Sequence, residues 1–222
     1  MKAAGASTIE LNFWRKQLTG VPDNVFDQLT LEILNLSENQ LTSISEAIGK
    51  LKNLRSLDLG HNQLRDLPES LALLVNLTDY LYLHDNRLTF LGESLFAGMN
   101  RLRYLNLSDN RLTHLPQSIG KLISLEEFRA DNNPLSTLPP SFAELTALRE
   151  LHLRNTGLCE VPLQIRNLTR LNFLDLRGNG FTVVPQWIGE LKDLVKLDLR
   201  WNKIKRSGWM ELLEASGCRV LL

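Results

Sequence analysis

The amino-acid sequence predicts a right-handed α/β solenoid, in which a parallel β-sheet lines the concave face and short helices or 3-10 turns line the convex face. Three observations predict this fold class. A pattern of leucines returns every 23 residues along the 222-residue chain, and an asparagine stands at the same place in most copies. A copy such as "LRYLNLSDNRLTHLP", residues 102–116, matches neither the strict alternation of a lone strand nor the stripe of a helix.

Each copy is predicted to begin with a short strand. In L-x-x-L-x-L the fourth and sixth side chains point into the core, because successive side chains of a strand alternate between its two faces. The third, fifth, seventh and eighth positions then face outward on the concave sheet. Neighbouring strands lie about 4.8 Å apart, so equal positions of successive copies form columns, and nine strands span roughly 40 Å.

The ninth position follows the strand, where the chain must turn sharply. Asparagine suits this turn because its short amide hydrogen-bonds to backbone groups and tolerates unusual dihedral angles. We expect one buried column, formed by Asn39, Asn62, Asn86, Asn110, Asn133, Asn179 and Asn202. Thr156 replaces asparagine in one copy and can make only part of these bonds. Lys16 fills the slot of the first copy, which indicates a solvated edge.

The repeats predict a single domain, since no Pro-, Gly- or Ser-rich linker interrupts them. Eight units are expected, at 8–30, 31–53, 54–76, 77–101, 102–124, 125–147, 148–170 and 171–193. The unit 77–101 is two residues longer than the others. Residues 1–7 form an N-terminal extension that makes a thin cap for the first coil.

Residues 194–222 are predicted to hold the last strand and a C-terminal helical cap. The stretch "SGWMELLEASG" reads as a short amphipathic helix with Trp209, Leu212 and Leu213 on its packed side. Gly217 is a suitable residue to end it, and "CRVLL" is predicted to be a final extended piece.

The pattern L-x-x-L-x-L-x-x-N-x-L-x-x-L-P-x-x-I/L-G-x-L resembles the leucine-rich repeat family over nearly the whole chain. Its L-P-x-x-I-G-x-L half resembles the intracellular, Ras-associated subtype of bacteria, plants and animals. The ending "WMELLEASGCRVLL" is similar to those of small, free-standing bacterial members. The resemblance implies a horseshoe that serves as a protein-interaction module in cytosolic signalling. Relatives often carry a kinase, GTPase or ubiquitin-ligase domain, and this chain encodes none.

The composition argues against several classes of partner. Lys plus Arg and Asp plus Glu both number 25, so no bulk attraction to nucleic acid or an anionic membrane is expected. No segment approaches the roughly 20 apolar residues of a membrane span. The start "MKAAGASTIE" lacks the apolar run of a secretory signal, and Cys159 and Cys218 are far apart. We therefore expect reduced thiols and a cytoplasmic protein.

Two clusters on the predicted concave face are candidate binding sites. The first gathers Tyr80, Tyr82, Tyr104 and His84 on neighbouring strands. Exposed tyrosines on a rigid sheet are typical of interface hot spots, because they combine a large contact area with a polar tip. The alternative is that tyrosine simply suits a solvated strand beside the irregular unit 77–101.

The second cluster, the arginine strip, consists of Arg154, Arg177 and Arg200, with Arg129 nearby and Trp201 exposed beside it. Arginine binds carboxylate and phosphate bidentately, so the strip could recognise an acidic or phosphorylated partner. The alternative is a solvated ladder of weak ion pairs with aspartates of adjacent columns. Those aspartates are Asp131, Asp175 and Asp198, and they favour the second interpretation.

The sequence predicts no enzyme. It has no G-x-x-x-x-G-K-[ST], G-x-S-x-G, H-E-x-x-H or paired C-x-x-C motif. His152 and Asp175 could be neighbours, but an open sheet offers them neither a nucleophile nor a water-excluding pocket. The histidines do not converge into a metal-ligand set, so we expect no catalytic residue, cofactor or metal.

The sequence therefore predicts a non-catalytic scaffold that binds a protein or peptide through its concave face. The predicted contact residues are Tyr80, Tyr82, His84, Tyr104, Arg129, Asp131, His152, Arg154, Phe173, Asp175, Arg177, Arg200 and Trp201. Two alternatives stay open at this point. One is a bacterial effector acting in a host cell, and the other is a self-associating module that pairs through its N-terminal edge. The protein is then a monomer or a homodimer.

Overall fold

The computed structural model describes residues 9–222, and the predicted extension 1–7 lies outside the described residues. Within that range ten parallel strands form one sheet in chain order, and this confirms the predicted solenoid. The strands are β1 (Glu10–Asn12), β2 (Ile33–Asn35), β3 (Ser56–Asp58), β4 (Tyr80–Tyr82), β5 (Tyr104–Asn106), β6 (Glu127–Arg129), β7 (Glu150–His152), β8 (Phe173–Asp175), β9 (Lys196–Asp198) and β10 (Arg219–Leu221).

The strands align without any shift of register. Each of β1 to β9 contains the third, fourth and fifth positions of its coil, and equal positions pair, as Tyr80 does with Tyr104. The middle residue is buried in every interior strand, as Leu81 and Leu105 show, because it points away from the concave surface. The columns predicted from the repeat therefore exist on the concave side of the horseshoe.

The convex side is built from short 3-10 helices. Those described are Asp23–Asp27, Glu46–Lys50, Glu69–Leu73, Gln117–Lys121, Pro140–Glu144, Leu163–Asn167 and Gln186–Glu190. All but Glu46–Lys50 follow a proline, whose fixed φ and missing N–H suit the residue before a helical turn. The long unit 77–101 forms only turns there, with Gly92 in place of the proline.

The asparagine column joins each coil to the coil before it. The amide of Asn110 donates to the carbonyl of Leu83 in the preceding coil at 2.9 Å and to that of Leu107 at 3.0 Å. Its side-chain oxygen accepts the N–H of Leu88 at 3.0 Å. Buried backbone groups that the sharp turn would leave unpaired are satisfied in this way, and the predicted role of the column is confirmed.

Thr156 does only part of this work, as predicted. Its hydroxyl donates to the Leu153 carbonyl at 3.2 Å or to the side-chain oxygen of Asn179 at 2.8 Å. It offers no acceptor to the preceding coil, and there the N–H of Leu135 bonds instead to the carbonyl of Asn133 at 2.8 Å.

A single continuous core runs between the sheet and the convex side. Leucines fill it from the strands, and residues such as Ile119 and Ile165 close it from the 3-10 helices. Phe128 replaces the strand leucine in one coil and packs edge-on against Phe142, with ring centroids 5.4 Å apart. Each coil thus buries its apolar side chains against its neighbours only, as in other solenoids.

The C-terminal end is closed by one helix and a last strand. Helix α1 (Gly208–Ala215) buries Met210 and Leu213, whereas Leu212 is 72% exposed, so the predicted packing of Leu212 is wrong. Successive helical residues are about 100° apart, and a face centred on Met210 and Leu213 leaves Leu212 outside it. Gly217, at φ +98°, ends the helix before β10. None of the helices among the described residues has the length and apolarity needed to cross a bilayer.

The eighth position of each coil has left-handed backbone dihedrals. The residues are Arg15, Glu38, His61, Asp85, Asp109, Asn132, Asn155, Gly178 and Trp201. Only one of them is a glycine, the residue for which this conformation is least costly. The turn out of the strand therefore imposes this conformation on side chains that project from the rim of the sheet.

Candidate partner-binding surface

The predicted contact residues all lie on β4 to β8 or at the turns that follow the strands, but they differ in exposure. His152, Asp175 and Asp131 were predicted to face outward, and the structure buries them, with 6%, 0% and 9% of their surfaces exposed. His152 packs against the ring of Phe173, with centroids 5.0 Å apart, and neighbouring arginines accompany the two carboxylates. These three polar groups support the surface and do not form its outer layer.

An aromatic ladder, formed by Tyr80, Tyr82, His84 and His61, crosses β4 and the turns after β3 and β4. Tyr80 and Tyr82 stack with centroids 4.6 Å apart and planes 21° apart. The edge of His84 meets Tyr82 at 5.9 Å and His61 at 4.7 Å. Burial raises the pKa of both tyrosines, so their hydroxyls stay protonated at neutral pH. His61 was not among the predicted contact residues, although its place in the eighth column put it beside His84.

A depression of about 380 Å³ lies beside this ladder. Its lining includes Tyr82, His84, Tyr104, Glu127 and Arg129, so it brings predicted tyrosine and arginine sites together. The Nδ1 atom of His84 is buried without a hydrogen-bond partner among the described residues. Burial is the main cause that lowers the pKa of His84, and the nearby His61 lowers it further. The ring is accordingly neutral at pH 7. The ring rests against Gly60 of the neighbouring coil, so this nitrogen faces the protein and not the depression.

The arginine strip is largely neutralised from within. Arg177 donates from Nε to both carboxylate oxygens of Asp175, at 2.8 and 3.0 Å. Arg200 donates from Nε to Oδ1 of Asp198 at 2.9 Å and from Nη2 to Oδ2 at 2.7 Å. Burial alone would raise the pKa of Asp198, but the hydrogen bonds and charge of Arg200 leave it lowered. Both aspartates are fully buried, so the expectation of a solvated ladder is corrected: arginine guanidiniums cover carboxylates that water does not reach.

Arg154 is the member of the strip without such a pair. Among the described residues no carboxylate lies within 4.0 Å of its guanidinium, and its Nε is buried without a partner. The nearby Asp131 accepts the backbone N–H of Arg154 at 2.7 Å, and burial raises the pKa of that carboxyl. Arg154 is therefore the guanidinium of the strip that is available to an incoming acidic group.

Trp201 and Phe173 supply exposed aromatic surface near the strip. Trp201 is 67% exposed, and its ring lies 5.5 Å from the guanidinium of Arg177 and 5.8 Å from that of Arg200. The ring of Phe173 lies under the ammonium of Lys196 at 4.2 Å. Each ring therefore makes a cation–π contact on one face, and both rings remain accessible from the concave side.

One group of side chains on this face has metal-ligand chemistry. Glu127, Glu150 and His152 bring three potential ligand atoms within 4.8 Å of one another. The sequence did not predict this group, because only the histidines were candidate ligands and the direct pairing of Glu127 with Glu150 across β6 and β7 brings the carboxylates together. Arg129 already hydrogen-bonds to Glu127, and His152 contacts Glu150 at 3.3 Å. Each of the three candidate ligands thus already has a polar partner within the protein.

Two family models match parts of this chain. A family model described as "Leucine rich repeat" matches residues 9–64, 31–79 and 76–135, and a second leucine-rich repeat model matches residues 170–191. The chain belongs to the leucine-rich repeat family. No curated protein sequence is significantly similar to this leucine-rich repeat protein.

Solved structures with this fold include a type III effector domain, the ectodomain of a plant membrane receptor kinase, and PEPR1. The leucine-rich repeat domain of the type III effector XopL is 28% identical, with a TM-score of 0.78 over 96% of this chain and 76% of that domain. The ectodomain of the Arabidopsis thaliana receptor kinase GASSHO1/SCHENGEN3, in complex with CASPARIAN STRIP INTEGRITY FACTOR 2, is 34% identical. Its TM-score is 0.77, over 88% of this chain and 24% of the ectodomain. PEPR1, in complex with AtPEP1, is 25% identical, with a TM-score of 0.74 over 96% and 34% of the respective chains.

Proposed function

We propose that this leucine-rich repeat protein is a non-catalytic recognition scaffold that binds a protein or peptide through its concave face. The observation that carries the proposal is the aromatic ladder, whose stacked tyrosines border the depression lined by Tyr82, Tyr104 and Arg129. Two structures with this fold are complexes, one of a receptor kinase ectodomain with CASPARIAN STRIP INTEGRITY FACTOR 2 and one of PEPR1 with AtPEP1, which supports a protein or peptide as the ligand. A cytoplasmic signalling role accords with the two free cysteines, Cys159 and Cys218.

The ladder has the physical properties of a binding hot spot. Tyr80 and Tyr82 are half-buried and fixed by stacking, so little side-chain entropy is lost when a partner covers them. Each ring adds apolar contact area and a hydroxyl that can donate or accept a hydrogen bond. Polar groups of a partner could hydrogen-bond to the two tyrosine hydroxyls, which would give the interaction direction as well as area.

The acidic or phosphorylated character of the partner is a finer part of the proposal. It depends on Arg154, because Arg177 and Arg200 already bind buried aspartates. An acidic group bound to Arg154 would lie on the same side of the sheet as Arg129 and Trp201. The partner would then span the sheet from the tyrosines to the last coil, with an aromatic anchor at one end and a charged contact toward the other.

A crosslinking pull-down with a triple variant tests the concave site. We expect Tyr80→Ala/Tyr82→Ala/Tyr104→Ala to lose the partner that the wild type captures, without a change in unfolding midpoint. The matched control is Leu73→Ala/Ile123→Ala/Leu163→Ala, which removes exposed apolar side chains outside the sheet. Equal capture by both triple variants would contradict a concave site.

A second candidate function is that of a bacterial effector acting in a host cell, and the likeness to the XopL domain favours it. A secretion assay in bacteria with and without a type III apparatus tests this role, and export that depends on the apparatus would support it. Self-association through the N-terminal edge strand is the remaining alternative. Light scattering tests it, since a dimer that Ile9→Arg, at an exposed residue just before β1, dissociates would favour pairing through the first coil.

A further inference from the structure

A groove runs along the side of the solenoid, where the coils leave the sheet for the convex face. Its deepest part has a volume of about 620 Å³ and lies between the loops of three successive coils. Ile44, Leu67 and Leu95 form its apolar floor, and the ring of Phe90 lies at its wall. This lateral groove shares none of its lining with the concave depression, so it constitutes a separate surface.

The rim of the lateral groove is strongly acidic. Glu46, Asp66, Glu69 and Glu93 all line it, although the chain as a whole has no net charge. None of the four has a cation within 4.0 Å among the residues from 9 onward. On the concave face, by contrast, Glu38, Glu127, Asp175 and Asp198 each have an arginine partner. The rim therefore lacks the positive charge that balances carboxylates elsewhere.

Two of these carboxylates are fixed in place by backbone groups. Glu46 accepts the N–H of Ser70 at 2.9 Å and that of Glu69 at 3.2 Å, and hydrogen bonds from Ser70 lower its pKa. Glu93 accepts the N–H of Gln117 at 3.1 Å. The side chains of Asp66 and Glu69 make no such bonds and are exposed, so they are free to bind a ligand.

Phe90 is unusual for its position in the coil. Its ring is 52% exposed, and most residues at the equivalent position of the 23-residue coils are polar. Those equivalents are Gly20, Ser43, Asp66, His114, Thr137, Glu160 and Val183. An exposed phenyl ring beside four carboxylates can bind the alkyl stem or the charged head of a basic side chain, because the face of the ring attracts cations.

The groove continues along the solenoid. A second depression of about 420 Å³ shares Glu93 with the first and passes His114 and Thr137 to reach Gln164. Together they cross the coils from 31–53 to 148–170. An elongated channel of this kind accommodates an extended chain rather than a compact ligand.

We propose that the lateral groove binds an extended basic segment of a partner protein, with a lysine or arginine side chain between Asp66 and Glu69 and against the ring of Phe90. Charge complementarity indicates a basic ligand, because four carboxylates without a cationic partner favour a cationic segment over an acidic or neutral one. This second binding surface is independent of the concave site, and the protein can bind one partner on its inner face and another along its side.

The test measures fluorescence anisotropy with a rhodamine-labelled nonapeptide of alternating arginine and serine. We expect Asp66→Asn/Glu69→Gln to weaken binding about fivefold, since each lost charge removes one exposed ion pair. Phe90→Ala should weaken it about threefold. The matched control is Asp193→Asn/Glu211→Gln, which makes the same change in net charge at exposed positions elsewhere. Equal weakening by both double variants, or no binding by the wild type, would overturn the proposal.

Two further measurements separate the other possibilities. The concave variant Tyr80→Ala/Tyr82→Ala/Tyr104→Ala should bind the peptide as the wild type does, so the two sites can fail independently. A second copy of this chain could instead insert its exposed basic stretch, residues 203–206, into the groove. Light scattering tests for such a dimer. A dimer that dissociates in the Asp66→Asn/Glu69→Gln variant would overturn the proposal in favour of self-association, whereas a monomeric wild type supports it.

Discussion

The imidazole ring of His84 lies directly over Gly60 in the neighbouring coil. A Cβ added to Gly60 would stand 2.4 Å from Cε1 of His84, well inside van der Waals contact. Both residues occupy the seventh position of their coils, so the glycine creates the space in which the histidine ring rests. Because His84 contacts both Tyr82 and His61, Gly60 determines where the whole aromatic ladder lies.

We expect Gly60→Ala to displace the ring of His84 and weaken concave binding. Overpacking of this kind costs about 1–3 kcal/mol, and the cost should largely vanish in the double variant with His84→Ala. Urea unfolding of the wild type, both single variants and the double variant measures the coupling. Gly189→Ala, with no atom within 4 Å of the added Cβ, is the control and should be close to neutral. Additive effects of Gly60→Ala and His84→Ala would show that the contact is unimportant.

The pKa of His84 predicts a pH dependence of stability. Burial lowers it below the usual 6.5, so the unfolded chain takes up a proton before the folded protein does. The stability that His84 contributes is complete above pH 6.5 and is lost as the pH falls through the folded pKa. We expect His84→Gln to flatten the decline of the unfolding free energy between pH 7 and 5, measured with urea. An unchanged decline would show that His84 does not titrate differently on unfolding.

Leu105 and Tyr82 separate the core from the surface. Leu105 is 1% exposed, and Leu105→Ala should cost about 2–5 kcal/mol because it leaves a cavity in the continuous core. Tyr82→Ala should change stability far less and should weaken concave binding instead. Denaturant unfolding and the pull-down assay together compare the two. Equal destabilisation by the two substitutions would place Tyr82 in the core and contradict the concave assignment.

Asn110 tests the column that joins the coils. Asn110→Ala removes partners from the carbonyls of Leu83 and Leu107 and from the N–H of Leu88. Each buried group left unsatisfied costs roughly 1–3 kcal/mol, so this should be among the most damaging substitutions at a polar residue. Asn110→Thr should cost less, because Thr156 shows that a hydroxyl retains the bond within its own coil. Equal losses, measured by thermal unfolding, would contradict this comparison.

Arg177 and Arg154 should respond differently to the same change. Arg177→Gln leaves the fully buried Asp175 without its bidentate partner, and breaking such a pair costs up to about 3–5 kcal/mol. Arg154→Gln removes a guanidinium without a carboxylate partner, so it should leave stability nearly unchanged and weaken only an acidic or phosphorylated ligand. Unfolding midpoints and titration with a phosphopeptide distinguish the two roles. Equal stability of the two variants would contradict the assigned pairing.

The repeat spacing alone was sufficient to predict the fold. Leucine and asparagine positions are imposed by the geometry of each coil, so the strands, the asparagine column and the concave columns followed from periodicity. The partial role of Thr156 could also be predicted, because it depends on the groups that a hydroxyl can offer. Leu212 was misplaced because an eight-residue helix has too few turns for its packed face to be read from its sequence.

The chemistry of the candidate site was harder to predict. Periodicity assigned Asp175 and His152 to the concave columns, but it could not show that Arg177 and Phe173 would cover them. Those contacts depend on side-chain conformations across neighbouring coils. The same limit explains why His61 was left out of the aromatic cluster and why the group of Glu127, Glu150 and His152 was missed.

The left-handed turn after each strand has a practical consequence for engineering. A bulky residue such as Trp201, at φ +63°, is energetically unfavourable there, and Trp201→Gly should relieve backbone strain while it removes an exposed ring. Changes to glycine, asparagine or aspartate at this place in any coil can therefore alter ligand selectivity at little cost in folding stability, whereas β-branched residues would strain the turn. A library confined to these nine sites would diversify the rim of the horseshoe while the interior stays intact.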